Sequence, residues 1–499
     1  MNTSDLLAFQ AGKYGSRDAI RFMGKGVTYG ELHMKVNQFS QGLKQQGIQK
    51  GDKVALFLPN TPEFVIAYLA VQRLDAIVVP VNVKLTAEEL AYILDHSDAK
   101  ALIVHEWVEA AAKDVTSPEI RITTANPDTG WLSFNALFVK SIEEVRSESK
   151  EDDESTILYT SGTTGRPKGV LFSYRNIFTV ASMIAVEMEV KPESRMLLMM
   201  PLSHSAPLHL FMMAGLYVGA TLVLTPTFTP ELLIETVETE KTTHFFGAPV
   251  AYLLTAGHPK LKTADLSSMK WWIYGGAPLS KGEIEKISSA FKTDRLVCVY
   301  GLTEAGPSGS LLHAEEHAEK AGSIGRRAPL HTDLKIVNDD GEETAADEVG
   351  EIVLAGEGNM LGYYKDPEAT AKTMTGHWLR TGDLAKRDQD GYIWVVDRKK
   401  DLIISGGVNV YPKEIEEAML TVPGMREAAV IGVPHPEWGE TVKAVFAAEN
   451  EISQKELLLH LEKKLASFKI PRLIEQVEAL PRNASGKILK QVLREAVVK

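Results

Sequence analysis

Cysteine is almost absent from this sequence, because the 499 residues contain only Cys298. A single cysteine cannot form a disulfide within the chain, which is typical of proteins in a reducing cytoplasm. Cys298 lies in the apolar run LVCVY, so we expect it to be buried rather than to act as a nucleophile. The N-terminal residues also lack the basic start and apolar run of a signal peptide. We therefore expect a cytoplasmic protein.

The sequence has fewer basic than acidic residues. The net charge is -12 and the sequence has no polybasic tract, which argues against a nucleic-acid partner. Residues 196–230 contain no Asp, Glu, Lys or Arg. Prolines and two histidines interrupt this stretch, so it is typical of a buried core or a pocket wall, and we expect no transmembrane segment. The oligomeric state is not predicted, and a homodimer is one option.

Strand and helix signals alternate from residue 51 onwards. KVALFLP indicates a buried strand, and Pro62 then begins a helix at the first-turn position that tolerates proline. Thr86 and Glu89 have the spacing of a capping box. Similar units recur to about residue 310. This repetition predicts an α/β fold with a mostly parallel sheet that is covered on both faces.

Beyond residue 320 the pattern changes to short strands with Asp-Gly turns, which indicates an antiparallel β region. A length of 499 residues also favours more than one domain. We predict a large N-terminal domain of α/β layers with this small antiparallel region at 1–397. A hinge at 398–401 and a small, mobile α+β C-terminal domain at 402–499 follow.

The loop YTSGTTGRPKG, at 159–169, has the composition of a phosphate-binding loop. A Walker loop needs lysine followed by Ser or Thr, and Lys168 is preceded by proline and followed by glycine, which excludes that loop. Glycine backbone, hydroxyls and the charges of Arg166 and Lys168 still suit an anion. Composition alone leaves a flexible linker equally open. The glycines predict a loop that moves when no nucleotide is bound.

Further motifs follow this loop in order: PLSH at 201, GGAPLS at 275, YGLTEAG at 300, GEIVLAGEGNMLGYY at 350, WLRTGD at 378, DRKKDLIISGGVNVYPKEIE at 397 and PRNASGKILK at 481. Together with the loop, they resemble the signatures of the adenylate-forming superfamily. That superfamily contains acyl-CoA synthetases, aryl-CoA ligases, luciferases and peptide-synthetase adenylation domains, and the chain is most like a bacterial fatty acyl-CoA ligase.

The resemblance implies a set of residues that bind ATP and Mg²⁺. The β- and γ-phosphates would be held by Thr160, Ser161, Gly162, Thr163, Thr164, Gly165 and Lys168. The adenine would be bordered by Gly275, Gly276, Ala277, Tyr300 and Gly301. Thr303 would bond the α-phosphate and Glu304 would bind Mg²⁺, an ion that commonly takes one or two carboxylates plus phosphate oxygens.

Other roles implied by the resemblance fall in the last quarter of the chain. Asp383, assisted by Arg398, would accept hydrogen bonds from the ribose. Lys487 would be the mobile catalytic lysine that bridges the substrate carboxylate and the α-phosphate. Lys400 occupies the hinge position, where many members of the superfamily have aspartate.

Coenzyme A is the second substrate that the resemblance implies. Gly406 and Gly407 would line the pantetheine tunnel. Phe468 and Arg472 would meet the CoA nucleotide, and an ordinary solvated surface is an almost equal alternative for these two residues. His204 would gate the carboxylate pocket. A histidine in an apolar stretch is also commonly a satisfied core residue.

The nature of the acid is predicted from the segment 201–220, which contains no carboxylate and so argues against an amino-acid substrate. The residues LVCV before YGLTE offer no cation for a dicarboxylate such as malonate. An apolar wall suits a medium- or long-chain fatty acid, with an aryl acid as the alternative. Its residues are Leu208, Leu210, Phe211, Met212 and Met213. The same segment could instead pack a core helix.

The predicted reaction is therefore ATP- and Mg²⁺-dependent formation of an acyl-adenylate, followed by transfer to CoA. CoA is favoured as the acceptor because no carrier domain is fused to the chain. Loading of a carrier protein is the nearest rival, and light emission by a luciferase is chemically adjacent. A catalytically silent nucleotide-binding protein is the rival of another class. The presence of Glu304, Asp383 and Lys487 argues against it.

Overall fold

The computed structural model describes residues 2–113, 115–127, 130–140, 144–160, 166–405, 408–482 and 487–498. Backbone contacts divide the chain into two compact units. The first contains Met1–Leu334 and Leu354–Leu379, and the second contains Lys335–Val353 and Arg380–Lys499.

Two eight-stranded sheets form the first unit in the described part of the chain. In spatial order, the strands of one sheet are Ser310–Leu312, Leu296–Tyr300, Trp271–Gly275, His244–Gly247, Arg195–Leu198, Thr221–Leu224, Asp18–Phe22 and Lys25–Thr28. Its inner strands pair in parallel, and an antiparallel strand closes each edge. Most residues of its central strands are buried, as expected for parallel strands covered on both faces.

The second sheet of this unit carries the glycine-rich loop. Its strands are, in spatial order, Gly362–Tyr363, Lys168–Ser173, Glu154–Thr160, Ile77–Pro80, Lys53–Phe57, Ala99–Val104, Ile120–Thr123 and Leu132–Ser133. The pairs from Glu154–Thr160 to Leu132–Ser133 are parallel. The pairs on either side of Lys168–Ser173 are antiparallel. The predicted α/β class is therefore confirmed.

Helices connect and cover these strands. The α-helices are Thr3–Tyr14, Tyr29–Gln45, Pro62–Arg73, Ala87–His96, Glu109–Ala112, Tyr174–Glu187, Ala214–Val218, Pro230–Glu240, Pro249–Ala256, Lys281–Phe291, His317–Lys320 and Pro367–Thr373. The predicted helix start at Pro62 and the predicted capping box of Thr86 and Glu89 are both present. Part of the uncharged stretch, Ala206–Met213, forms a π-helix. Among the described helices, none has both the length and the apolar character needed to cross a lipid bilayer.

The second unit has its own core. Its C-terminal part contains a sheet of the strands Val408–Val410, Ile403–Ser405, Gly439–Ala448, Met425–His435 and Leu473–Gln476. The helices of this unit are Pro412–Leu420, Gln454–Glu462 and Lys490–Val498. Apolar residues of the first two helices pack against the sheet, including Ile415 and Leu457, which are fully buried. This mixture of helix and mainly antiparallel sheet agrees with the α+β class predicted for the C-terminal domain.

The strands Thr332–Val337, Gly350–Gly356 and Trp378–Arg387 begin in one unit and end in the other. The boundary between the two units therefore differs from the predicted domain boundary at 397–401. The hinge at 398–401 stays a prediction.

Candidate active site

The glycine-rich loop lies between the two strands of an antiparallel hairpin. Glu154–Thr160 pairs with Lys168–Ser173, and this register sets Thr160 directly opposite Lys168. The residues between them that we predicted to bind phosphate, Ser161, Gly162, Thr163, Thr164 and Gly165, lie outside the described residues. The expectation that this loop moves without nucleotide falls on the same residues and stays a prediction.

Lys168 occupies a defined position at the end of this hairpin. Its Nζ lies 4.8 Å from the ring centre of Tyr363 and 3.9 Å from Oδ2 of Asp366. An ammonium over an aromatic face is attracted by the ring quadrupole. The ammonium of Lys168, which we predicted to meet phosphate, is therefore positioned by an aromatic ring and a carboxylate.

Glu304 follows the strand Leu296–Tyr300 on the short 3₁₀ turn Thr303–Ala305. The hydroxyl of Tyr363 donates a hydrogen bond of 2.8 Å to Glu304 Oε1. Thr303, the predicted α-phosphate ligand, accepts a hydrogen bond of 3.3 Å from Ser205 Oγ. A half-buried carboxylate at the carboxyl end of a parallel strand is placed where α/β folds commonly bind ligands.

The predicted adenine border lies at the ends of neighbouring parallel strands. Trp271–Gly275 pairs with Leu296–Tyr300, so Gly275 and Tyr300 end adjacent strands. A Cβ on Gly301 would lie 2.1 Å from the Pro307 carbonyl oxygen, so a side chain has no room there. Gly276 has a φ of +84°, which disfavours residues other than glycine, and Ala277 beside it is exposed.

His204 lies beside Asn82, with His204 Nε2 3.4 Å from Asn82 Nδ2. Asn82 Oδ1 accepts the backbone N–H of Lys84, which leaves the amide nitrogen as the group that faces the imidazole. This arrangement makes Nε2 the acceptor and places the proton on Nδ1. Burial lowers the pKa of His204, and the charge of Lys84 lowers it further, so the ring is neutral at pH 7.

The predicted acyl-pocket residues Leu208, Phe211 and Met212 lie on the π-helix Ala206–Met213, and each is at most 1% exposed. The rings of Phe211 and Phe246 are 5.7 Å apart. Burial lowers the pKa of His209, on the same helix, to about 4, so this histidine adds no charge at pH 7. Such burial suits a pocket wall and a packed core alike, and the pocket assignment stays a prediction.

In the second unit, Asp383 and Arg398 are direct partners on the antiparallel strands Trp378–Arg387 and Ile393–Arg398. Arg398 Nε lies 2.5 Å from Asp383 Oδ1. The Asp383 side chain is only 5% exposed, so the ion pair fixes the carboxylate proposed for the ribose.

Lys487 belongs to the same electrostatic cluster of the second unit. Burial lowers the pKa of the Lys487 ammonium, and the charges of Arg398 and Lys400 lower it further. Asp383 and Asp401 act in the opposite direction. The pKa of Lys400 is also lowered, first by burial. The structure thus places the predicted catalytic lysine within electrostatic range of the ribose pair and the hinge lysine, although Lys487 follows Lys400 by 87 residues in sequence.

The residues predicted to contact CoA are only partly visible, because Gly406 and Gly407 lie outside the described residues. Phe468 is 47% exposed. The Arg472 guanidinium lies 3.3 Å from the ring centre of Trp438, and the His435 ring stacks on Trp438 at 4.3 Å. Arg472 is therefore part of a stack rather than a free surface charge.

Sequence reasoning assigned no role to Asn82, Tyr363 or Trp438. Tyr363 lies inside the motif GEIVLAGEGNMLGYY, so the motif itself was a signal. Asn82 and Trp438 had no comparable signal, because their partners His204 and Arg472 are distant along the chain.

Comparison with known proteins identifies the family of this chain. The family described as AMP-binding enzyme matches residues 7–364, and its C-terminal domain matches residues 414–487. A feruloyl-CoA synthase from Amycolatopsis sp is 37% identical, with 95% of each chain covered. A long-chain-fatty-acid–CoA ligase from Mycobacterium tuberculosis is 35% identical, covering 94% of this chain and 93% of the relative.

A solved structure of o-succinylbenzoate CoA synthetase from Bacillus subtilis, in complex with an acyl-adenylate intermediate, superposes with a TM-score of 0.88. It is 28% identical and covers 99% of this chain and 98% of its own. The chain therefore belongs to the AMP-binding enzyme family and is an acid–thiol ligase of the adenylate-forming, acyl- or aryl-CoA type, with ATP, Mg²⁺ and CoA as its cofactor and cosubstrates.

Proposed function

We propose that this enzyme activates a hydrophobic carboxylic acid, with a medium- or long-chain fatty acid favoured. The carboxylate attacks the α-phosphate of ATP to give an acyl-adenylate and pyrophosphate. The thiol of CoA then attacks the acyl carbon, and AMP leaves. The observation that carries the choice of acid is that the helix which begins two residues after the neutral His204 bears Leu208, Phe211 and Met212 and no Asp, Glu, Lys or Arg.

The first step brings together two anions, the acid and the triphosphate, so the site must offset negative charge. In the first unit, Lys168 and the loop that begins at Thr160 would hold the β- and γ-phosphates, which leave as pyrophosphate. In the second unit, Lys487 would bridge the acid and the α-phosphate, and Asp383 with Arg398 would hold the ribose. We propose these roles for Lys168, Lys487, Asp383 and Arg398 together.

The residues present fit a magnesium ion. Glu304 Oε1 accepts from Tyr363, and Oε2 makes no hydrogen bond to the described residues. No group of three or more His, Cys, Asp or Glu that could hold a metal occurs among those residues. Glu304 would therefore bind the ion through one carboxylate, and phosphate and water would supply the other ligands. Bound there, the ion would supply positive charge for the phosphates.

The acceptor proposed is CoA. Gly406 and Gly407 would line the path of the pantetheine arm, and Phe468 and the stack of Arg472, Trp438 and His435 would meet the nucleotide. Phe468 offers an exposed ring for stacking, and Arg472, which lies over the ring of Trp438, offers a cation for phosphate. A cytoplasmic location is proposed with this function, since both ATP and CoA must be available to the enzyme.

An aryl acid is the second candidate. The supporting observations are the tilted Phe211–Phe246 pair, which would offer a flat apolar face, and the 37% identity to a feruloyl-CoA synthase.

A panel of acids tests both candidates. The enzyme, Mg²⁺, ATP and labelled pyrophosphate would be incubated with fatty acids of graded chain length, with cinnamic-type acids and with amino acids. We expect exchange of label into ATP with the longer fatty acids. Addition of CoA and detection of the thioester by mass would then identify the acceptor. Exchange confined to aryl acids would favour the second candidate, and no exchange with any acid would contradict the proposed function.

A further inference from the structure

Tyr363 contacts two residues of opposite charge. Its hydroxyl donates a hydrogen bond of 2.8 Å to Glu304 Oε1, and its ring centre lies 4.8 Å from Lys168 Nζ. The carboxylate and the ammonium are therefore joined through one neutral side chain.

The backbone around Tyr363 is held on several sides. Gly362–Tyr363 pairs with the strand that begins at Lys168. The Tyr363 N–H donates to Thr370 Oγ1 at 2.9 Å, and the Met360 N–H donates to the backbone oxygen of Glu304 at 2.8 Å. The segment 360–363 thus holds both the main chain and the side chain of Glu304.

The two oxygens of the Glu304 carboxylate have different surroundings. Glu304 Oε1 is occupied by the hydrogen bond from Tyr363, while Oε2 has no hydrogen bond to any described residue.

We propose that Tyr363 is a positioning residue for the metal and the phosphates. Its hydroxyl holds Glu304 so that the second oxygen stays free for a divalent cation, and its ring keeps Lys168 at a fixed distance from that carboxylate. The inference rests on the proposed function, because it takes Mg²⁺ and the phosphates of ATP as the ligands of Glu304 and Lys168.

The change Tyr363→Phe tests the hydroxyl while keeping the ring. In pyrophosphate exchange, we expect the Mg²⁺ concentration at half-saturation to rise about tenfold, which corresponds to about 1.4 kcal/mol. At saturating Mg²⁺, kcat should return to within about threefold of the wild type, because the metal is weakened but not lost. A fold defect would not be repaired by magnesium.

Tyr364→Phe is the matched control. It removes the same atom from the adjacent residue, whose hydroxyl donates to Asp98 Oδ2 at 3.1 Å instead of to Glu304. We expect its magnesium dependence to match the wild type. Equal shifts in both variants would indicate a structural role, and no shift in Tyr363→Phe would show that the hydroxyl does not position the metal ligand. Either result overturns the inference.

Calorimetry with the unreactive analogue α,β-methylene-ATP gives a readout that does not depend on catalysis. Tyr363→Phe should weaken binding of the analogue in the presence of Mg²⁺ and leave binding in EDTA unchanged. Tyr363→Leu removes the ring as well, so it should also weaken binding in EDTA by several-fold. Analogue binding by both variants that equals the wild type with and without Mg²⁺ would contradict the inference.

The two proposals fail in different ways. If the wild type exchanges no label with any acid, the proposed function is wrong, and calorimetry still decides the role of Tyr363, since nucleotide binding needs no acid. If the wild type is active and Tyr363→Phe keeps its magnesium dependence, only the inference about Tyr363 is wrong.

Discussion

The two units hold their charged residues in different ways. In the first unit, Lys168 and Glu304 are separated by the ring of Tyr363, and Asp366 lies near the lysine. In the second unit, burial lowers the pKa of Lys487, and the charges of Arg398 and Lys400 lower it further against the smaller opposing effect of Asp383 and Asp401. A cluster of cations destabilises the charged form of each member unless an anion lies nearby. The second unit therefore has a stronger electrostatic need for an anionic ligand than the first.

The change Lys487→Ala tests this difference most strongly. Removal of the cation proposed to bridge acid and α-phosphate should lower pyrophosphate exchange by roughly 10²- to 10³-fold, as does loss of one group that stabilises a developing charge. Transfer from supplied acyl-AMP to CoA should remain near the wild-type rate, because Lys487 is proposed to serve adenylation alone. Lys487→Arg, which keeps the charge, should lose less. Equal loss of both half-reactions in Lys487→Ala would show that the assignment is wrong.

The change Lys168→Met tests the first unit. We expect the KM for ATP to rise by roughly 10- to 150-fold, the range for a lost hydrogen bond to a charged group, while the pH dependence stays that of the wild type. Lys365→Met is a close control, because Lys365 also lies near a tyrosine ring and an aspartate, in this case Tyr364 and Asp98. Steady-state kinetics of both variants would measure the two KM values for ATP. A similar rise in KM for Lys365→Met would remove the special role of Lys168.

The smallest expected effect is on the pH dependence of adenylation. A lowered pKa means that Lys487 loses its proton, and its charge, at a lower pH than an exposed lysine, so adenylation should decline on the alkaline side. Lys400→Met removes a like charge and should raise the pKa of Lys487. The alkaline limb of pyrophosphate exchange should therefore move up by roughly half a pH unit.

Lys399→Met is the control for Lys400. Lys399 lies 2.8 Å from Asp339, and the hydrogen bond between them raises its pKa, so it belongs to a satisfied pair. Its loss should leave the alkaline limb in place. An alkaline limb that moves equally in both variants, or in neither, would contradict the electrostatic link between Lys400 and Lys487.

Sequence reasoning was most successful where the signal is local. The Thr86 capping box spans four residues, and the helix that begins at Pro62 is set by the fixed φ of proline, so both were predicted correctly. The buried state of Cys298 followed from its apolar neighbours. The family was identified from ordered motifs, and the comparisons confirmed it.

Contacts between distant residues could not be predicted in this way. Tyr363 and Glu304 are separated by 59 residues, and Asn82 and His204 by 122. Whether such residues meet depends on strand order and register, which a local pattern does not specify. The residue types in a motif were readable, whereas the partner that fixes each side chain was not.

The π-helix Ala206–Met213 has a consequence for how this enzyme can change. A π-turn holds one residue more than an α-helical turn, so this segment carries a residue that a regular helix would not need. Replacement of one side chain alters the apolar wall and leaves its neighbours in place. Deletion of one residue would let a π-turn close into an α-helical turn, so the side chains of 206–213 would be redirected while the helix Ala214–Val218 keeps its register. New acid preferences could therefore arise here through the length of the segment as well as through substitutions.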